Sequence, residues 1–124
     1  MIAYAELGAE TITDRFPELR EQTEAETVDG EFLPHVVFGN VFNRLTEELL
    51  MRDGHLSDET LHRIFDMYEE FAAEGDEEVQ NLVQVTLLEP LWDDKTIYDR
   101  AEKLLGEHTR ELWNCIGSYL REPS

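Results

Sequence analysis

The feature that most constrains the fold is the stretch over residues 76–92, DEEVQNLVQVTLLEPLW, which starts with acids and continues with apolar residues on nearly every side. On a helix of about 3.6 residues per turn, these apolar residues form two neighbouring stripes. One stripe consists of Val79, Leu82, Val83, Thr86 and Leu87, and the other of Val85, Leu88, Leu91 and Trp92. A helix with one solvent-facing side needs a single stripe, so this pattern predicts a central helix that is buried on two sides. Pro90 should bend or loosen its last turn.

The chain before residue 33 carries weaker helical signals. Apolar residues spaced by three and four predict a helix over residues 2–15, and Pro17 is suited to start a short second helix, PELREQ. Residues 22–31 are polar and contain the turn signal Asp29-Gly30. We therefore expect a loop there.

Two long helices are predicted ahead of the central helix. The first covers residues 33–52 and carries Gly39 in its interior, where a glycine usually marks the close approach of another helix. The second starts with Ser57 as its N-cap and ends with Gly75 as its C-cap. Asp76 then caps the central helix directly, and so short a connection predicts that these two helices are antiparallel neighbours.

Two further helices are expected after the central one, and they form a second hairpin over residues 95–121 beside the first hairpin over 57–92. We predict a single all-α domain of about six helices, in which antiparallel hairpins stack in the manner of HEAT repeats and other α-solenoids. The domain covers residues 1–124, with an N-terminal helical part and loop over 1–31 and a helical core over 33–121.

Composition restricts the class of partner. The 124-residue chain is long enough for one hydrophobic core, and a hydrophobic fraction of 41% argues against disorder. Ten Lys and Arg against 29 Asp and Glu give a formal net charge of −19. Such a charge repels nucleic acids and anionic membranes, and it attracts basic proteins at rates that fall with salt. We therefore expect no direct binding to nucleic acid or to membranes.

Cys115 is the single cysteine, which excludes an internal disulfide, and its neighbours in ELWNCIGSYL predict a buried, unreactive thiol. The first ten residues, MIAYAELGAE, lack the basic start and long apolar core of a signal peptide. The sequence also has no run of about 20 apolar residues, the length needed to span a bilayer. We expect a cytoplasmic protein.

Candidate catalytic or metal-binding residues are few. The histidines are His35, His55, His62 and His108. Glu59 and His62 have the Glu-x-x-His spacing of helical di-metal sites, but such sites need two of these motifs and the chain has one. The sequence contains no Ser/His/Asp or Cys/His arrangement that indicates catalysis, and no glycine-rich phosphate loop. We expect no enzymatic activity, no metal and no other cofactor.

The distribution of charge is more informative than its total. Residues 64–94 contain ten acids and no Lys or Arg. Seven of these acids cluster at the turn before the central helix: Asp66, Glu69, Glu70, Glu74, Asp76, Glu77 and Glu78. Without basic neighbours they cannot form i,i+4 ion pairs, so their field should point outward. The cluster is either a docking surface for a basic partner or a solvated acidic face whose repulsion is screened by salt, and both interpretations remain open.

Three segments resemble a family of small, acidic, all-helical bacterial proteins: LPHVVFGNVFNRLTEELL (33–50), EEVQNLVQVTLLEPLW (77–92) and ELWNCIGSYL (111–120). In that family, a helix of the pattern D-x-E-V-x-N-L-hydrophobic-x-V-x-hydrophobic-L-E-x-L follows an acidic turn, and here the pattern begins at Asp76. These proteins are similar to domains found as immunity proteins in bacterial polymorphic toxin systems. The resemblance implies a helical fold and a toxin-neutralising role, and it supplies no catalytic residue. The chain departs from the pattern at Pro90.

We therefore expect a protein that binds and inhibits a basic partner, most concretely an immunity protein whose seven clustered acids cover the cationic groove of a nuclease-type toxin. A DNA mimic that inhibits a DNA-binding protein is the nearest variant. A structural or housekeeping interaction domain with no inhibitory role is the alternative from a different class. A gene for a toxin-like protein beside this one would separate the first hypothesis from the others. The sequence leaves the oligomeric state open.

Overall fold

The structure is a computed structural model that describes residues 1–27 and 29–120, with side chains up to residue 118. Val28, which belongs to the predicted loop, and Arg121, at the predicted end of the last helix, lie outside the described residues. So do the side chains of Tyr119 and Leu120, which the sequence pattern places on the apolar face of that helix.

The described residues form an all-α fold, which confirms the predicted class. Three long helices are α3 (Pro34–Leu50), α4 (Glu59–Glu74) and α8 (Glu107–Leu120). A further long helix is continuous over residues 77–92 and consists of α5 (Glu77–Asn81), a π-helix (Leu82–Leu88) and α6 (Glu89–Trp92). The shorter segments are α1 (Ala9–Thr13), α2 (Arg20–Ala25), α7 (Tyr98–Glu102) and 3₁₀ turns at Tyr4–Glu6, Pro17–Leu19 and His55–Ser57.

The long helices surround one hydrophobic core. The helix over residues 77–92 contacts α3, α4 and α8, as expected for a central element. Aromatic rings connect the N-terminal part to α3, and α3 to α4: the ring centroids of Phe16 and Phe42 are 5.3 Å apart, and those of Phe38 and Phe71 are 5.7 Å apart. Edge-to-face pairs of this kind stabilise a core beyond the area that they bury.

The N-terminal part differs from the prediction in where its helices break. Gly8 is extended, so the helix expected over residues 2–15 is divided into a 3₁₀ turn and α1. Helix α2 includes residues 22–25, which were predicted to be loop. Asp29 and Gly30 have positive φ angles of 52° and 76°, which confirms the predicted turn.

Both ends of α4 have a clear physical cause. Its N-cap is Asp58 rather than the predicted Ser57, since Asp58 Oδ1 accepts a hydrogen bond from the Leu61 amide at 2.8 Å. Gly75 is the C-cap, as predicted, with a φ of −77° that any residue can adopt. Glycine is needed there for space, because a Cβ atom would lie 2.4 Å from the Phe71 carbonyl oxygen.

The π-helix changes which residues of the central helix face the core. The buried residues are Val79, Leu82, Val83, Leu87, Leu88 and Leu91. Val85 was predicted on the second buried stripe, but it is 41% exposed. A π-helix forms i→i+5 hydrogen bonds and therefore holds more residues per turn than an α-helix. The apolar pattern is thus displaced within the segment, and Val85 turns to solvent.

Pro90 lies just after the π-helix, in α6. It has no N–H group to donate to the carbonyl of Thr86, four residues before it. The side-chain amide of Asn43, on α3, donates to that carbonyl at 3.0 Å. The hydrogen bond that Pro90 cannot donate is therefore replaced by one from a side chain of the neighbouring helix α3.

The C-terminal part is less regular than predicted. Helix α7 covers five residues, so the second hairpin is not matched in length to the first. Helix α8 buries Thr109, Trp113 and Ile116 on one face. Cys115, predicted to be buried, is exposed, because it lies beside Ile116 on a helix whose buried positions are three and four residues apart.

Candidate functional site

The seven clustered acids lie between the middle of α4 and the start of α5, and we call this region the acidic tip. The N-terminal segment is attached to it. The Ile2 amide donates to the Glu74 carbonyl at 2.7 Å, and the Asp76 amide donates to the Ile2 carbonyl at 2.8 Å. This contact is not predictable from the sequence, because two hydrogen bonds between backbone groups leave no pattern in side-chain type.

Asp76 has a structural role within the tip. Its carboxylate accepts hydrogen bonds from the Val79 amide at 2.9 Å, as the predicted N-cap of α5, and from the Tyr4 amide at 2.9 Å. These backbone hydrogen bonds lower the pKa of Asp76, since they favour the ionised form. The charge of Asp76 therefore serves to join α5 to the N-terminal segment.

Glu69 holds the start of α8. Its carboxylate accepts hydrogen bonds from the amides of His108 and Thr109, each at 2.9 Å, and from the Thr109 hydroxyl at 2.9 Å. His108 Nδ1 lies 2.7 Å from the same carboxylate. Burial tends to raise the pKa of Glu69, but these hydrogen bonds outweigh it and lower the pKa. The same contact raises the pKa of His108.

Glu70 forms a bidentate ion pair with Arg15, at 2.8 and 2.9 Å. The pair lowers the pKa of Glu70 and raises that of Arg15. Asp66 lines a cleft of about 200 Å³ together with Arg15 and Arg63. The seven acids have no Lys or Arg near them in the sequence, but the fold brings arginines to them from distant positions. The predicted outward field therefore does not hold for Glu70, which is paired with Arg15.

Glu74, Glu77 and Glu78 are the acids that remain. All three are exposed, and among the described residues their carboxylates have no hydrogen bond or ion pair. Their field is directed into solvent. Asp66 is exposed too, but it shares its cleft with Arg15 and Arg63. Glu74, Glu77 and Glu78 are the predicted contact residues that are exposed, unpaired among the described residues and outside that cleft.

A second constellation, which the sequence pattern does not predict, lies where α3 crosses the π-helix. His35, Gly39 and Asn43 are spaced by four residues on α3, and all three approach Thr86. His35 Nδ1 lies 2.5 Å from Thr86 Oγ1, and a Cβ atom on residue 39 would lie 3.1 Å from Thr86 Cγ2. The close approach expected at Gly39 is confirmed. The π-helix itself has no signature in the apolar spacing, so Thr86 could not be identified from the sequence.

The other candidate residues have structural contacts. His62 Nε2 lies 2.5 Å from the Leu56 carbonyl oxygen, and His55 Nδ1 lies 3.4 Å from Arg100 Nη1. In residues 1–27 and 29–120, no three His, Cys, Asp or Glu side chains are grouped as metal ligands would be. No helix in the same part of the chain combines the length and apolar character needed to cross a membrane.

Comparison with known proteins identifies one family. The sequence pattern of DUF7674, described as a domain of unknown function, matches residues 9–117. No curated protein and no solved structure matches the chain. The match begins at α1 and includes α8 as far as residue 117, so it covers both the acidic tip and the crossing of α3 with the π-helix.

Proposed function

This chain belongs to the DUF7674 family, a domain of unknown function, and from its own surface we propose that it binds and inhibits a basic protein. The most concrete form of the proposal is an immunity protein that acts in the cytoplasm and neutralises a bacterial toxin, as the family resemblance in the sequence implies. The protein would act by binding rather than by catalysis.

The observation that carries the proposal is the outward field of Glu74, Glu77 and Glu78. Glu77 and Glu78 lie in the first turn of α5, whose N-cap is Asp76, and Glu74 is the last residue of α4. The backbone of the turn that carries them is held by the N-terminal segment, because Ile2 is hydrogen-bonded to both Glu74 and Asp76. A fixed cluster of like charge on a chain of net charge −19 accelerates encounter with a basic surface.

The predicted stacking of the two hairpins is also part of this proposal. We propose that the hairpins stack as HEAT-like repeats do. The contacts of α8 with both α4 and the π-helix support this arrangement, whereas the shortness of α7 makes the second hairpin an irregular repeat.

The first partner to test is the product of the gene adjacent to this one in its native genome. We expect that product to be basic, to inhibit growth when expressed alone, and to lose this effect when the chain is co-expressed. An adjacent product that neither binds the chain nor inhibits growth would remove the immunity hypothesis.

The role of the tip is tested by association kinetics with that partner at two salt concentrations. Glu77→Lys with Glu78→Lys should slow association about threefold or more at low salt, with a smaller effect at high salt. Glu21→Lys with Glu24→Lys is the matched control, because it makes the same change in charge at exposed positions of α2. If both double substitutions slow association equally, the total charge of the chain sets the association rate and the tip has no special role.

Glu70 is not suited to this test. Reversing its charge would place a lysine against Arg15 and break an ion pair of the fold. An effect of that substitution on binding would therefore be mixed with an effect on stability.

A further inference from the structure

Two exposed apolar side chains lie at the end of the molecule opposite the acidic tip. Met51 and Leu56 are 57% and 46% exposed, and both belong to the loop that joins α3 to α4. Helix α4 has 16 residues and begins just after this loop, whereas its other end carries Glu74 of the tip. At a rise of about 1.5 Å per residue, the loop and the end of α4 are about 24 Å apart. The loop is therefore a surface separate from the tip.

Arg100, on α7, contacts this loop at three points. Its Nη1 atom donates to the carbonyl oxygens on either side of Met51, at 2.9 and 3.3 Å. The same nitrogen lies 3.4 Å from Nδ1 of His55, the residue before Leu56. The backbone that carries both apolar side chains is thus gathered around one guanidinium group. A partner that covers them would find the loop already ordered, so little entropy is lost on binding.

A cleft of about 540 Å³ adjoins the loop. One wall is the end of α3, with Met51, and the other is the turn before α7, with Asp94 and Ile97. The second wall is held by Asp94 Oδ1, which accepts hydrogen bonds from the amide and the hydroxyl of Thr96 at 3.0 and 2.6 Å. Methionine is enriched in the centres of protein interfaces. We call Glu47, Met51, Arg52, Leu56, Asp94 and Ile97 the loop face.

Charges of both signs surround the cleft. Its lining contains the cation Arg52 and the carboxylates Glu47, Glu48 and Asp94. Arg44 pairs with Glu48 at 3.2 Å, and the exposed Lys95 follows Asp94 in the chain. With Asp53, which follows Arg52, three cations stand against four carboxylates. The loop face is therefore close to neutral in its surroundings, although the chain has a net charge of −19.

This mixture of charges selects the occupant. A strongly basic partner would place its cations against Arg52 and Lys95, and a strongly acidic one would place its carboxylates against Glu47 and Asp94. A second copy of this chain supplies both signs. Two strongly acidic copies also repel each other least where the local charges nearly balance.

Glu47 and Arg52 are the charges that a second copy can pair. Among the described residues, neither side chain has a hydrogen bond or an ion pair, although both line the same cleft. A two-fold axis relates each contact to its reverse. If the ends of two α3 helices pack antiparallel about an axis near residues 49–50, Glu47 of each copy faces Arg52 of the other, and both Met51 side chains lie near the axis.

We propose that the chain forms a two-fold symmetric dimer through the loop face, with reciprocal pairs between Glu47 and Arg52 around an apolar centre of Met51 and Leu56. The two acidic tips then lie at the outer ends of the dimer. This inference goes beyond the proposed function and does not depend on it, since each tip stays free to meet a basic protein. Salt should strengthen the dimer by screening the repulsion between the copies, whereas salt weakens binding to a basic partner.

The first test measures the mass of the full-length chain in solution by analytical ultracentrifugation. We expect a monomer at about 10 μM and a growing dimer fraction toward about 500 μM, as for a small interface of modest affinity. The dimer fraction should be larger at about 300 mM than at about 30 mM NaCl. A chain that is monomeric throughout, or a dimer that weakens with salt, would overturn the proposal.

Substitutions of the apolar side chains locate the interface. Met51→Ser with Leu56→Ser should weaken the dimer about tenfold or more. Leu33→Ser with Val36→Ser is the matched control, because these residues, near the start of α3, are 43% and 44% exposed. The control should change the dimer affinity by less than about twofold. Equal effects of the two pairs would show that the loop face is not the interface. Circular dichroism and melting temperature check that each variant is folded.

Exchange of the charges tests the reciprocal pairs. Arg52→Glu alone and Glu47→Arg alone each place like charges opposite each other in their own dimers, and each should weaken the dimer about threefold or more. In an equimolar mixture of the two variants both pairs are restored with their signs exchanged, so dimerisation should return to about the wild-type level. Pairing within one chain could not produce this recovery. A mixture that stays as weak as its components would exclude the proposed pairs.

The outcomes separate this inference from the proposed function. A monomeric chain that still binds a basic protein loses the dimer and keeps the function. A chain that dimerises through the loop face but binds no basic protein keeps the dimer and loses the function.

Discussion

At the residue scale, Glu69 is the carboxylate on which most of the local structure depends. It accepts four hydrogen bonds from His108 and Thr109, and Thr109 is fully buried. Glu69→Ala would remove the side-chain acceptor of two backbone N–H groups, and it would leave the buried Thr109 hydroxyl with only the Gly106 carbonyl, at 3.4 Å. We expect a loss of about 1–3 kcal/mol in the free energy of unfolding, measured by urea denaturation.

The matched control is Glu70→Ala, one position along α4. Glu70 pairs with Arg15 at the surface, where both side chains are well exposed. Exposed ion pairs contribute about 0–1 kcal/mol, so this substitution should cost clearly less than Glu69→Ala. Equal losses would mean that Glu69 does not cap α8.

The pH dependence of the His108–Glu69 contact follows from the directions of the two pKa shifts. The pKa of His108 is raised in the folded state, so its contribution is complete below its unfolded value and is lost as the pH rises through the folded value. The pKa of Glu69 is lowered, so its contribution is lost as the pH falls through its folded value. The contribution of the pair to the free energy of unfolding should therefore be largest between about pH 4.5 and pH 6.5.

Melting temperatures of wild type and His108→Asn measure this dependence. We expect a larger difference between the two proteins near about pH 5.5 than near about pH 8.5. A difference that stays constant, or that grows with pH, would show that protonated His108 does not pair with Glu69.

At the element scale, the π-helix decides which substitutions in the central helix are costly. Leu88 is fully buried and Val85 is 41% exposed, although the α-helical pattern predicted burial for both. Leu88→Ala, like Leu82→Ala, should destabilise by about 2–5 kcal/mol, whereas Val85→Ala should change stability by less than about 0.5 kcal/mol. A large loss at Val85, measured by thermal or urea unfolding, would mean that the segment is α-helical in solution.

The contact between Gly39 and Thr86 provides a second test of the same element. A methyl group on residue 39 would press on Thr86 Cγ2, which offsets the gain in helix propensity of about 0.5–1 kcal/mol. In a Thr86→Ser background, the methyl group of Thr86 is gone and its hydroxyl remains for His35. Gly39→Ala should then be more favourable than in wild type, and a double-mutant cycle measures the difference. A coupling energy of zero would place the two helices farther apart.

At the scale of the whole molecule, the net charge of −19 should make stability depend on salt. The ion pairs of Arg15 and Arg63 tie the N-terminal part to α4 and are weakened by salt. Salt also weakens the repulsion among the many carboxylates. At this net charge, the stability gained from weaker repulsion exceeds the stability lost from weaker ion pairs. We expect the melting temperature to rise between about 20 mM and about 500 mM NaCl.

Glu77→Gln with Glu78→Gln should reduce this salt response, because it removes two exposed carboxylates from the region of strongest repulsion. The corresponding pair in α2, Glu21→Gln with Glu24→Gln, should reduce it less. A melting temperature that falls with salt would show that attractive pairs outweigh repulsion in this fold.

The residue pattern by itself determined the helical class, the burial of most of the central helix and the caps at Gly75 and Asp76. Each of these depends on residues close together in the chain, so spacing and residue type are sufficient to predict them. The dense acidity of the tip is likewise a local property, since its seven acids lie within 13 consecutive residues, 66–78.

The tertiary structure alone decided which of those acids remain available. Arg15 is 55 residues from Glu70, His108 is 39 residues from Glu69, and the N-terminal backbone pairs with the turn at Gly75. Neither hydrophobic spacing nor local charge can predict pairs between residues so far apart in the sequence. The π-helix, which exposes Val85, could not be predicted from the sequence for the same physical reason. It is stabilised by contacts of Thr86 with α3, and those contacts exist only once the two helices have packed together.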